Sequence, residues 1–275
     1  MLKARVLSSV ILLPLLVLSV WFDSPLPWFT VVVCLMALLG VIEFFRLTGV
    51  SSVRSITAFG VVLTLGLVLM PYCNYRYCVP LLLSIVTLGS FVLTVWRDIS
   101  PGRFIRWAWM LLGSLYIGWL LSIFVELRNV TGFMGMPELG RNLVFLALLA
   151  TFASDTFAYF TGKAIGRHKM APVVSPGKTW EGAAGGVAGA ILVGWIVTLN
   201  WPLQLPFLLW QSLLMGGCIS IFGQLGDLAE SLLKRLADTK DSGTLIPGHG
   251  GALDRMDSIL PAGVVVYVFY ILFIV

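Results

Sequence analysis

The chain has 275 residues, of which 59% are hydrophobic and 11% charged, and a formal net charge of +5. So little polar surface cannot coat a water-soluble globule of this size, which excludes a soluble enzyme or binding module and makes lipid the solvent. The positive balance does not imply a nucleic-acid partner, because the cations sit in short loops between apolar runs, where orientation in a membrane accounts for them.

Apolar runs close to the roughly 20 residues that cross a bilayer as helix recur along the whole sequence. They predict an all-α integral membrane protein, a single polytopic domain over residues 1–275 with about nine transmembrane helices. In chain order the spans cover about 6–22, 28–45, 55–70, 79–96, 104–125, 143–162, 182–199, 206–226 and 258–275, by hydropathy and breaks. The first follows Lys3 and Arg5 as a signal peptide would. It is long, contains Pro14 and lacks a small-x-small cleavage site before Trp21 and Phe22, so it reads as a span. Cys34 and Cys218 stand alone in apolar runs as packing residues, whereas Cys73 and Cys78 flank a short polar loop and can pair if it faces an oxidising compartment.

Loop charge tests the segmentation, because Lys and Arg accumulate on the cytoplasmic side. With the N-terminus cytoplasmic, Lys3, Arg5, Arg46, Arg54, Arg97, Arg103, Arg106, Lys163, Arg167, Lys169, Lys178, Lys234, Arg235, Lys240 and Arg255 all fall inside. Of 18 basic residues, only Arg76, Arg128 and Arg141 do not. The C-terminus is then external, and both long polar loops, residues 163–181 and 227–257, face the cytoplasm.

The second of these loops mixes Lys234, Arg235, Lys240 and Arg255 with Asp227, Asp241, Asp254 and Asp257, and with glycines around His249. A bound polyphosphate and its metal need those types: cations for phosphate oxygens, carboxylates for a divalent ion, glycine where backbone approaches closely. If the eighth span continues as helix past Gly226, Asp227, Ser231 and Lys234 share one face. If the ninth begins near Leu253, Asp254, Asp257 and Ser258 align near its N-terminus, although one acid can simply cap the helix or pair with Arg255. Asp155 lies inside the sixth span, where an ionised carboxylate costs roughly 2.5–3.5 kcal/mol. It should face the bundle interior, with Tyr159 and Gly162, as a cavity-lining group or a structural bond to a neighbouring helix.

The first loop contains Gly177-Lys178-Thr179, but Pro172 stands where a phosphate-binding P-loop needs its first glycine. Lys178 and Thr179 can still hold phosphate at the start of the seventh span. Gly182 with Gly186, and Gly185 with Gly189, suit close helix packing or a homodimer seam, packing being the simpler reading. His168 reads as a surface residue.

Ser231-x-Leu-Lys234-Arg235, Lys240-Asp241, Pro247-x-His249-Gly250-Gly251 and Asp254-Arg255-x-Asp257 together resemble the signature of the CDP-diacylglycerol synthase (phosphatidate cytidylyltransferase) family, as does Ser175-Pro176-x-Lys178-Thr179-x-Glu181-Gly182. The resemblance is firm over residues 143–275 and weak before them. Ala252 departs from it, being smaller than the aliphatic residue expected there.

What the resemblance implies is transfer of a cytidylyl group from CTP to phosphatidic acid, with Mg2+, at the cytoplasmic face of a membrane, a bacterial inner membrane being favoured. The catalytic set is then Asp227, Asp254, Lys178 and Lys240. Metal ligation falls to Asp227 and Asp254, with Asp257 and Asp155 behind them. Substrate binding falls to Ser175, Thr179, Ser231, Lys234, Arg235, His249, Gly250, Gly251 and Arg255. A CTP-dependent polyprenol kinase lacks the signature around His249, and a transporter using Asp155 would be expected to show repeated halves, which this chain does not.

Overall fold

The computed structural model describes residues 2–22, 26–73, 75–95, 101–130, 136–199, 203–243 and 250–275. His249 and the rest of 244–249 lie outside them. Each predicted span coincides with helix over most of its described length. Among the described residues six helices are long and apolar enough to cross a membrane, and two shorter apolar ones lie at Tyr77–Gly89 and Ile259–Phe273. Large apolar side chains such as Val62, Phe104 and Leu272 stand fully outward, as expected of lipid-facing positions.

The residues form two compact units: 1–126 with 241–253, and 127–240 with 254–275. The first contains α1 (Leu2–Trp21), α2 (Trp28–Leu47), α3 (Arg54–Leu69), α4 (Tyr75–Val95) and α5 (Pro101–Ser114). Its core is Phe29, Val33, Ala37, Val41, Phe44 and Phe45 of α2, packed on Ile56, Leu63 and Leu67 of α3 and on Trp107 and Met110 of α5. Cys73 and Cys78 are both free thiols.

Past α5 the helix widens into a π-helical turn at Leu115–Trp119 and continues as α6 (Leu120–Asn129). The second unit is built on α7 (Leu139–Ile165), α8 (Trp180–Ile196), α9 (Leu209–Leu236) and α10 (Ile259–Phe273). Three glycines of α8 are spent on α7 of the same chain. A Cβ on Gly182 would lie 2.9 Å from Ala158 O, one on Gly185 2.3 Å from Thr161 Oγ1, and one on Gly189 2.7 Å from the Phe157 ring. Packing is thus the use the structure makes of them.

Two local features depart from expectation. The loop after α7 is not irregular but folds into an antiparallel hairpin, β1 (Lys169–Ala171) and β2 (Ser175–Thr179). And α10 starts at Ile259, not near Leu253: Asp254 sits in a separate one-turn helix, Leu253–Arg255, and Asp257 in the turn between. Pro261 explains the start, since proline fits the first turn of a helix, where its missing N–H is not needed.

Candidate functional site

Helix α9 has 28 residues, about 42 Å at 1.5 Å per residue, against a hydrocarbon core of about 30 Å. Its last turns therefore project beyond the apolar stretch, and they carry Asp227, Glu230, Ser231, Lys234 and Arg235. The predicted shared face exists: Ser231 Oγ donates to Asp227 Oδ1 at 3.3 Å.

Each of the two principal acids is held by a lysine. Lys178 Nζ stands 2.7 Å from Asp227 Oδ2 and donates to Gln224 O at 3.4 Å. Lys234 Nζ stands 2.6 Å from Asp254 Oδ1 and 3.3 Å from Glu230 Oε2. The Lys234 and Asp254 side chains are only 13% and 10% exposed, and that of Glu230 is 0% exposed. Glu230 was not foreseen from the sequence. Its buried carboxyl is enclosed beside Lys234 and Asp257.

Asp257 comes beside Glu230 because α9 is notched by glycine. A Cβ on Gly226 would fall 2.3 Å from Asp257 O and 2.8 Å from Pro261, so only glycine lets this turn lie against α9. Asp257 Oδ1 accepts from Ser258 N at 2.7 Å. Burial, and then the charge of Asp227, push its carboxyl up to about 6, against the opposing pull of Glu230, Ser258 N–H and Lys234.

The Asp155 side chain is exposed to solvent rather than fully enclosed, and it interacts electrostatically with Asp257, Asp227, Lys178 and Arg255, so it lies among those groups. Beneath it the helices are joined by a polar thread. Ser154 Oγ and Ser220 Oγ are 2.7 Å apart, and Gln224 Nε2 donates to Ser220 Oγ at 2.8 Å and to Ala183 O at 3.2 Å.

The hairpin delivers Lys178. Glu181, in the first turn of α8, accepts from the backbone N–H of Arg167 at 3.1 Å and of His168 at 3.2 Å, and bonds the His168 ring. His168 is exposed, as expected of a surface residue, and also ties the base of the hairpin. Thr179 is buried and caps α8, its Oγ1 accepting from Gly182 N at 3.1 Å. Arg235, exposed, donates to Val174 O at 3.2 Å and Thr239 O at 3.4 Å, bracing the hairpin turn against the end of α9. Ser175 is half-buried on β2; Lys240 and Arg255 are exposed.

In the first unit, Gly250 has φ of 82°, which favours glycine. Gly251 is buried against Ser242 and Glu43 of α2, and Ala252 is fully buried. Among the described residues no three acids, histidines or cysteines group closely enough to enclose a metal unaided.

Comparison with known proteins agrees with this chemistry. The cytidylyltransferase family matches residues 3–273. A phosphatidate cytidylyltransferase of Bacillus subtilis is 44% identical over 149 residues, 54% of this chain and 52% of that protein. One of Staphylococcus epidermidis is 38% identical over 173 residues, 62% of each chain. Those two matches thus span half to three-fifths of the relatives' lengths. One of Synechocystis sp. is 34% identical over 299 residues, 98% of this chain and 96% of that protein.

Proposed function

Because the chain belongs to the cytidylyltransferase family, we propose that it condenses CTP with phosphatidic acid, giving CDP-diacylglycerol and pyrophosphate. An oxygen of the lipid phosphate attacks the α-phosphorus of CTP, the α–β anhydride bond breaks, and its electron pair leaves with pyrophosphate. The attacking group needs no strong base, since a phosphate monoester has a second pKa of about 6. The barrier is the meeting of two anions, so the site's task is to hold charge.

The observation that carries this reading is the pair of lysines, Lys178 and Lys234, the first fixed by Asp227 of α9 and the second by Asp254 in the short turn before α10. An ammonium has three donors. Fixed by Asp227 and by Asp254 with Glu230, each retains donor capacity for a phosphate oxygen. Arg255 and Lys240 add charge from exposed positions, and Ser231 steadies Asp227.

Mg2+ is the proposed cofactor, and the donor set suits it. The carboxyl groups of Asp155, Asp227, Glu230, Asp254 and Asp257 outnumber the cations of Lys178, Lys234 and Arg255. Magnesium is commonly held by one or two carboxylates plus substrate phosphates, so an incomplete protein cage is the expected form. Asp227 would hold it, with Asp254, Asp257 and Asp155 as neighbouring carboxylates. Bound there, the ion would neutralise triphosphate charge and favour departure of pyrophosphate.

The membrane arrangement we propose has nine spans, the N-terminus cytoplasmic and the C-terminus external, in a bacterial-type inner membrane with the site on the cytoplasmic side. The partition of basic residues supports it. The deciding experiment gives purified protein phosphatidic acid and CTP labelled in the α-phosphate. Label should enter the lipid; a lipid kinase would transfer the γ-phosphoryl group and leave all label in soluble nucleotide.

A further inference from the structure

One buried carboxylate lies far in sequence from the signature yet touches it. Glu43, near the end of α2, is 0% exposed. Its Oε2 accepts from Ser242 Oγ at 3.0 Å and from the backbone N–H of Leu253 at 2.9 Å. Those donors sit at the two ends of segment 241–253, which belongs to the first unit although the chain on either side belongs to the second. The residues just outside the segment are Lys240 and Asp254.

The fit around the carboxylate is close. A Cβ on Gly243 would lie 2.4 Å from Glu43 Oε1. One on Gly251 would lie 2.3 Å from Glu43 Oε2 and 2.0 Å from Ser242 Oγ. The close approach of Glu43 leaves no room for a side chain at Gly243 or Gly251. Burying a carboxylate inside a membrane helix is costly, and a connection whose only need was to close would find a neutral fastening cheaper.

We propose that Glu43 is a positioning residue of the reaction: by accepting hydrogen bonds at both ends of the segment, it holds the backbone that leads into Asp254 in one conformation. The proposal rests on the cytidylyl-transfer reading of the site. Loosening such a fastening by about 1 Å can cost on the order of 100-fold in rate. The role requires an acceptor, not a charge, because both partners are neutral donors.

The test compares wild type, Glu43→Gln and Glu43→Leu as full-length protein in phosphatidic acid-containing nanodiscs. It measures CDP-diacylglycerol formation and hydrogen exchange of peptides covering residues 241–253 and of helical peptides elsewhere. Gln keeps a carbonyl acceptor and should stay within about tenfold of wild-type kcat, with the segment protected. Leu should lose about 100-fold in kcat and exchange faster in that segment alone. Ser242→Ala, which removes one donor from the other side, should lower kcat less, and its effect should shrink in the Glu43→Leu background.

Wild-type kcat in Glu43→Leu overturns the proposal, as does a Gln variant as inactive as Leu, or faster exchange throughout the protein in Leu with unchanged kcat in Ser242→Ala. An inactive wild type would instead overturn the reaction reading.

Discussion

Replacing Lys234 by Met should expose how much of this site is held together by one ammonium. At an effective dielectric of about 20, the 2.6 Å contact to Asp254 corresponds to roughly 6 kcal/mol of attraction. Most of that offsets the desolvation of two largely buried charges. Removing one partner from such a buried pair costs about 3–5 kcal/mol, because the other is left uncompensated. For a protein of this size that lowers the melting temperature by on the order of 10 °C. Thermal unfolding in detergent, followed by loss of the monodisperse size-exclusion peak, measures it. Adding Asp254→Asn removes the orphaned charge and should recover more than half the loss, while activity stays absent because the phosphate-facing cation is still gone. A Lys234→Met protein that melts with wild type, or a double variant no more stable than the single one, would refute the assignment of Lys234 as counter-ion to a buried carboxylate.

Asp227→Asn keeps size and one carbonyl oxygen but deletes the charge, so rate should fall by several powers of ten, about 4 kcal/mol or more of transition-state stabilisation; product formation across a magnesium titration measures it, and near-normal activity in a well-folded variant removes Asp227 from the site. In magnesium-free protein the Asp257 carboxyl is raised from 3.8 to about 6, so its contribution to stability is present below pH 3.8 and is lost as pH rises through about 6. Thermal stability should therefore fall between about pH 4 and 6 by on the order of 1–3 kcal/mol, and Asp257→Asn should flatten that slope. With native thiols removed, a cysteine at Thr239 should react with membrane-impermeant reagent only after the cytoplasmic side is opened; labelling from outside intact cells would reverse the topology.

The helices and the site's principal charges were legible in the sequence because apolar length and i, i+4 spacing are local properties. The face shared by Asp227 and Ser231 followed from helix continuation past Gly226, and the structure shows their bond. The Lys178–Asp227 pair could not be read, since it depends on a hairpin whose fastening, Glu181 to the backbone of Arg167 and His168, is tertiary. Asp254 and Asp257 precede α10 rather than lie on it, because Pro261 sets the first turn of that helix. Glu230 and Glu43 were missed for one reason: an acid on an otherwise apolar helical face looks like an ordinary interfacial charge until the residues that enclose it are known.

Glu43 also orders events in time. It enters the bilayer with α2 when only the first fifth of the chain has been made, whereas its donors, Ser242 and Leu253, arrive 199 and 210 residues later. During that interval an unsatisfied carboxylate, costing roughly 2.5–3.5 kcal/mol at the centre of a spanning helix and less nearer its end, makes the nascent first unit the least settled part of the protein. A chain stopped before Asp241 should accordingly be degraded rapidly in cells, and completion of the final tenth of synthesis becomes the step that locks the first helices in place.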